Sequence, residues 1–312
     1  MARSHSSVED APLLEKWRQA LTFFRWRLGW GSDPGQLDYI LESLDWLAST
    51  YERVSGKRFA DARVFEIGYG ARPVRLIALN SMGIDVRGID LDAPMMRFSV
   101  ARLFDIVKTN GPVRAMKTAV RNVLFDRKDE KTLEAALGAR GHKLTIDEAR
   151  LLVGDAARFD FGEDKYDLIY SFDVFEHIPP VDLEAVVAHL GSALTPGGMA
   201  VIVPLVFTGI CGGHLPEWYA HLVDEDARKD TEPWEHLRKS RKVADVYLNR
   251  LARGDYRKLF SNYFEIVEET DQIPELGKRW LTPEVREELA AWSDEDLFSN
   301  SVVFVLRARR DD

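Results

Sequence analysis

Two short apolar runs, one helix apart and each ending on residues suited to a ligand, most limit what this chain can fold into. Arg63-Val-Phe-Glu-Ile67 runs into Gly68-Tyr-Gly70, and Ile84-Asp-Val-Arg-Gly-Ile89 runs into Asp90. Between them Val74, Leu76, Ile77, Leu79 and Met82 recur at helical spacing. Parallel neighbours in a sheet need such a crossover, so strand, tight turn, helix, strand is the unit of a parallel sheet. Further strands are predicted at 151–153, 166–170, 199–203, 263–267 and 302–306, with a helix over 181–194. The pattern predicts an α/β fold, a Rossmann-like doubly wound sheet.

Residues 1–60 read as a helical N-terminal extension. Leu13, Leu14, Trp17, Leu21, Phe24 and Leu28 form one helical stripe. Leu37, Ile40, Leu41, Leu44, Trp46, Leu47 and Tyr51 form another, and a break is predicted over 29–35, around Asp33-Pro34-Gly35. Trp26 and Trp30 lie off the first stripe, which suits core packing or a second subunit in a homodimer. The remainder, 61–312, reads as one domain with two insertions, at about 93–150 and 207–262. Connections of two to six residues are usual in such folds, so both are oversized. The first is predicted helical, with breaks at Asn110-Gly111-Pro112 and 138–141. The second carries Trp218, Trp234 and a predicted helix through Leu251. Both leave strand ends on the edge where such sheets bind ligands, so they are expected to form a lid.

Composition narrows the function classes. The formal net charge is −9, which disfavours a general grip on nucleic-acid phosphates. Cys211 is the single cysteine, so neither an internal disulfide nor a cysteine-based zinc cluster can form. Residues 190–213 carry no charge, but Pro196, Gly197, Gly198, Pro204, Gly209, Gly212 and Gly213 punctuate them, and a turn feeding a buried strand fits better than a membrane span. The first ten residues are polar and lack the apolar stretch of a secretory signal. The expectation is a soluble, cytoplasmic protein. One stretch departs from the acidic balance: Arg97 to Lys131 holds nine basic residues against four acidic ones. It reads as a solvated helix face or as a site for an anionic group on an acceptor, which substitution of Arg114, Lys117 and Arg121 would reveal through salt dependence.

The ligand-type residues point to one cofactor chemistry. Gly68 and Gly70 allow a tight turn and close approach to the backbone. Asp90, at the end of the next strand, can accept hydrogen bonds from both hydroxyls of a ribose. A dinucleotide fingerprint would place a small residue three positions after Gly70, where Pro73 stands. Glu66 would repel a phosphate and attract an ammonium or a sulfonium, so the electrostatics favour a cationic nucleoside.

Five segments in order now match one family: Val64-Phe-Glu-Ile-Gly-Tyr-Gly70, Val86-Arg-Gly-Ile-Asp90, Val153-Gly-Asp155-Ala156, the run from Tyr166 to Ile178, and Leu194-Thr-Pro-Gly-Gly-Met-Ala-Val-Ile202. Across residues 62–206 the chain resembles the class I S-adenosylmethionine-dependent methyltransferases. The resemblance implies a seven-stranded sheet whose last strand is antiparallel, and S-adenosylmethionine as cofactor. It implies Gly68 and Gly70 under the methionine part, Asp90 on the ribose, and Asp155 with Ala156 beside the adenine; Glu66, Tyr69 and Leu91 are further candidate cofactor-binding residues. Phe172 and Asp173 would lie at the methyl-donor mouth. Arg72 and Pro73 depart from the family, which often has another glycine there.

Methyl transfer to a hydroxyl needs a proton removed, a task for histidine. His214, just past the fifth predicted strand, is the candidate, with His221 in reserve. Asp173, Glu176 and His177 are a carboxylate-rich set that would suit magnesium, but no second acidic cluster supports it and no metal site is assigned. Trp218 and Tyr219 read as packing or as a flat wall for an acceptor ring. The expected function is O-methylation of a small-molecule or sugar hydroxyl. The alternative is a methyltransferase-fold scaffold that has lost turnover.

Overall fold

A computed structural model describes residues 34–122, 126–226, 229–239 and 247–309. The helix predicted over Leu13–Leu28, with Trp17, Trp26 and Trp30, lies outside the described residues. Seven strands form one sheet in the order β3-β2-β1-β4-β5-β7-β6. They are β1 (Arg63–Ile67), β2 (Asp85–Asp90), β3 (Leu151–Val153), β4 (Tyr166–Phe172), β5 (Leu194–Val203), β6 (Phe264–Asp271) and β7 (Val302–Ala308). β1 pairs in parallel with β2 and β4, β2 with β3, and β4 with β5, while β7 runs antiparallel between β5 and β6. This is the predicted doubly wound sheet with its antiparallel last strand.

The helices are α1 (Pro34–Ser55), α2 (Val74–Ser81), α3 (Val100–Asn110), α4 (Pro112–Arg121), α5 (Arg127–Ala139), α6 (Pro180–Ala193), α7 (Glu235–Arg238), α8 (Arg253–Ser261), α9 (Pro283–Glu288) and α10 (Asp294–Phe298). The described part of α1 starts at Pro34, so residues 34 and 35 of the predicted break are helical, while 29–33 lie outside the described residues. Leu41, Leu44, Leu47 and Tyr51 are buried in one cluster with Val64, Leu168 and Val201 of the sheet. Each such burial contributes about 1.5–3 kcal/mol, so α1 is held as part of the domain's own core. α6 and α8 cover the opposite face through Leu183, Val187, Tyr256 and Phe260. The two core clusters are the two faces of the sheet.

Two local readings change. The Pro-Gly-Gly turn belongs to β5, which starts at Leu194; Gly197 has φ +78°, and the pairing with β4 shifts register beside it. No helix ends at Leu251: the chain there is irregular, and α8 begins two residues later. In the first insertion the predicted breaks hold, with Gly111 (φ +87°) between α3 and α4. α3 and α4 leave Phe104 and Met116 exposed, whereas Leu133 and Leu137 of α5 join the core. The side chains of Arg114, Lys117 and Arg121 lie outside the described residues. No helix among the described residues is long and apolar enough to cross a membrane.

Candidate active site

The carboxyl ends of β1, β2 and β4 converge on the glycine turn. Gly68 donates its N–H to the Ile89 carbonyl at 2.8 Å, and Gly154 donates to the Asp90 carbonyl at 2.9 Å, so three strand ends are tied edge to edge. Gly68 has φ +79°, and a Cβ there would lie 2.3 Å from Val174 Cγ2; glycine is required for both reasons. Gly70 (φ +69°) donates its N–H to Asp90 Oδ2 at 2.7 Å, while the Asp92 N–H donates to Asp90 Oδ1 at 2.7 Å. The carboxylate assigned to a ribose thus also shapes the turn beneath it. Tyr69 points away from solvent and donates its hydroxyl to the Leu152 carbonyl at 2.7 Å, bridging turn and β3.

Glu66 is the electrostatic centre of this end. Its side chain is buried, and Oε2 has no hydrogen-bond partner. Desolvation pushes its pKa up to about 7, with the Arg75 guanidinium and the neighbouring Tyr170 hydroxyl opposing the rise. A buried carboxylate with an unmet oxygen fits a cationic ligand group. It lines a cavity of about 180 Å³ together with Leu37, Ile40, Tyr69, Pro73 and Leu133. Pockets that enclose a whole small molecule run to about 300–1,000 Å³, so this one suits one end of a ligand.

The remaining expected cofactor residues divide. Leu91 is exposed beside the Asp90 turn. Asp155 accepts from the Ala157 N–H at 3.0 Å and pairs with Arg158 at 2.9 Å, so its carboxylate organises the loop after β3, where Ala156 is half-buried. Phe172 is buried, edge-on to Trp46 and covered by the Arg75 guanidinium at 4.6 Å. Asp173 follows it with φ +57° and exposure to the cleft.

A second polar centre lies where the chain leaves β4 and β5. Val174 contacts the glycine turn as described, and the next residues form a short 3-10 turn, Phe175–His177. Glu176 is 2% exposed, and neither carboxylate oxygen has a hydrogen-bond partner. Its Oε1 lies 3.7 Å from His177 Nε2 and 4.0 Å from His214 Nε2. Burial raises the Glu176 carboxyl well above its ordinary range, and the nearby Asp173 carboxylate adds to the shift. His177 Nδ1 is 3.0 Å from the Tyr247 carbonyl; that oxygen can only accept, so Nδ1 carries the proton and Nε2 is left with its lone pair. His214 Nε2 is buried without a partner, and desolvation together with His177 and His236 pushes its pKa down to about 3.

The loop aiming His214 is tightly constrained. His214 itself sits at φ +53°, a strained position for a side chain with a Cβ. A Cβ on Gly212 would lie 2.1 Å from the Phe207 carbonyl, and one on Gly213 would lie 2.7 Å from the His236 ring. His236 in turn bonds the Phe207 carbonyl through Nε2 at 2.8 Å. Sequence reasoning missed His236, Gly212 and Gly213 as the frame of this loop. It also missed Asn249, whose amide donates to the Phe175 carbonyl at 2.8 Å and whose N–H donates to the Glu176 carbonyl at 2.8 Å. A glycine pair before a histidine was the signal for the first; Asn249 left none. Trp218 is packing: it is buried, edge-on to Trp280, and donates Nε1–H to Thr231 at 2.9 Å.

Comparison with known proteins identifies the family. A family model described as a methyltransferase domain matches residues 43–262. Among solved structures, the PH0226 protein of Pyrococcus horikoshii is 14% identical, with a TM-score of 0.46, over 90% of this chain and 95% of that one. Magnesium protoporphyrin IX methyltransferase of Synechocystis, bound to S-adenosylhomocysteine, is 16% identical with a TM-score of 0.44, over 95% and 98%. The N-methyltransferase NodS of Bradyrhizobium japonicum is 10% identical with a TM-score of 0.39, over 85% and 87%. No curated protein matches. With the family model spanning the glycine turn, Asp90 and both polar centres, the chain belongs to the class I S-adenosylmethionine-dependent methyltransferases, with S-adenosylmethionine as its cofactor.

Proposed function

We propose that the protein methylates a hydroxyl on a small molecule, with a sugar or an aromatic alcohol as acceptor class. The observation that carries this is His214 Nε2, buried and unpartnered beside Glu176 at the end of β4 and β5. When bound, S-adenosylmethionine supplies an electrophilic methyl group. Glu66 faces its cationic end, Asp90 takes the ribose, and the turn of Gly68, Tyr69 and Gly70 passes beneath the methionine part. Leu91, Asp155 and Ala156 flank the nucleoside, and Phe172 with Asp173 borders the mouth. The chain then has to orient the acceptor oxygen and keep water out. His214 is the residue that meets the acceptor's proton. The segments 93–150 and 207–262 close over the acceptor, and the basic stretch in the first supplies attraction for an anionic group on it.

The test is calorimetry and turnover together. Wild type should bind S-adenosylhomocysteine and methylate members of a hydroxyl-bearing acceptor panel. Methylation confined to amines would overturn the hydroxyl reading, and tight binding without transfer to any acceptor would favour a scaffold. A triple substitution of Arg114, Lys117 and Arg121 should weaken acceptor affinity more at low salt than at high salt.

A further inference from the structure

The assignment of His214 to the acceptor's proton leaves Glu176 and His177 unexplained. A carboxylate 2% exposed with both oxygens unsatisfied is costly to keep, and the fold has placed two imidazoles against it. We infer that Glu176, His177 and His214 form a binding site for one divalent transition-metal cation at the acceptor mouth. It rests on the hydroxyl reading in one respect, that the cation's open positions face the acceptor's oxygens.

Three independent features support the site. The three donor atoms lie within 4.8 Å of one another, a grouping unique among the described residues. Ligands at about 2.0–2.2 Å from a shared ion sit roughly 3.0–3.5 Å apart, so the observed 3.7 and 4.0 Å lie within about 1 Å of ligand spacing. The second shell is already in place. The Tyr247 carbonyl holds His177 in the tautomer that offers Nε2, as such carbonyls do for metal-bound histidines. Asn249 fixes the backbone on either side of Glu176. Backbone strain also concentrates here. Asp173 and His214, both at positive φ, bracket the cluster, and the Gly212-Gly213 contacts leave the His214 loop no slack.

The donor set selects the class of ion. Two imidazoles and one carboxylate suit zinc, manganese, iron(II) or cobalt better than calcium or magnesium, which take oxygen shells. Three protein ligands leave at least one open position, the arrangement of a site that binds a substrate oxygen. With an ion bound, His214 Nε2 is a ligand, and the ion acidifies the hydroxyl it holds.

The experiment uses full-length protein stripped with chelator and dialysed, titrated with Zn²⁺ by calorimetry and with Co²⁺ by visible absorption. One equivalent of Zn²⁺ should bind, and Co²⁺ should develop d–d bands typical of mixed nitrogen and oxygen ligation. Glu176→Gln, His177→Gln and His214→Gln should each weaken Zn²⁺ at least tenfold, with circular dichroism unchanged. His142→Gln, outside the cluster, should bind as wild type does. Failure of the wild type to bind either ion, or wild-type affinity in all three cluster variants, overturns the site. Turnover of His214→Gln separates the two claims: lost turnover with wild-type Zn²⁺ affinity takes His214 out of the ligand set, overturning the three-ligand site, and leaves its proton-acceptor role standing.

Discussion

Both ends of the active-site edge bury a carboxylate whose oxygens are not fully satisfied, yet they are built on different plans. Glu66 stands with Arg75 nine residues along the chain, so a cation tempers its burial and its pKa stops at about 7. Glu176 has two imidazoles and the Asp173 carboxylate nearby and, among the described residues, no Lys or Arg to offset them, and burial carries it well above the carboxylate range. The first end is written in one continuous stretch, from β1 through the glycine turn to α2. The second is assembled from Glu176-His177 and His214, which meet because β4 and β5 are neighbours in the sheet. The difference matches the two proposals: a cationic cofactor group at the end whose carboxylate has Arg75 near it, and a metal cation at the end whose carboxylate has none.

If the two ends are separable, His214→Gln should show it most strongly. Turnover should fall about 10²- to 10³-fold, while S-adenosylhomocysteine affinity by calorimetry stays at the wild-type value; a matching loss of both would mean the ends are one unit.

Gly68→Ala probes one contact between them, Val174 against the glycine turn. Positive φ and the clash with Val174 together should cost about 2–4 kcal/mol by denaturant unfolding. Gly70→Ala has space around its Cβ and should cost only the backbone term, about 1–2 kcal/mol. Adding Val174→Ala to Gly68→Ala should recover the clash portion, and a strictly additive double mutant would refute the contact.

Glu66→Gln tests the charge at the first end. A folded pKa of about 7 against an ordinary 4.5 means the folded state holds this proton more tightly. The stability associated with it is complete below about pH 4.5 and is lost as pH rises to 7. The glutamine variant should therefore be more stable than wild type by on the order of 2–3 kcal/mol at pH 8, and by less than about 1 kcal/mol at pH 5. Cofactor affinity should rise from pH 6 to 8 in wild type as Glu66 ionises, and should be flatter in the variant. Equal pH slopes in the two proteins would remove Glu66 from cofactor binding.

The smallest effect belongs to Tyr69→Phe, which deletes the hydrogen bond to the Leu152 carbonyl and should cost about 1 kcal/mol. Since that bond ties the turn to β3 and not to the mouth, turnover should change less than stability does.

The glycine turn was legible because its constraints are local. Gly68 and Gly70 need positive φ, Asp90 ends the adjacent strand, and both follow from short-range pattern. α1 was legible in its buried stripe, where Leu41, Leu44, Leu47 and Tyr51 recur at helical spacing. Of the helix expected through Leu251, residues 240–246 lie outside the described residues, and 247–251 are irregular: Asn249 spends its side chain and N–H on the turn after β4, bonds that no helical spacing reveals.

The sequence alone determined the doubly wound sheet, the cofactor edge and the residue types at its first end, because hydrophobic period and turn chemistry act within a few residues of one another. Only the tertiary structure decided that Glu176, His177 and His214 bring their donor atoms within 4.8 Å of one another and that Asn249 and His236 brace them. Those meetings depend on strand order and loop packing across tens of residues, where burial in a common interior, and not spacing along the chain, sets which polar groups must find each other.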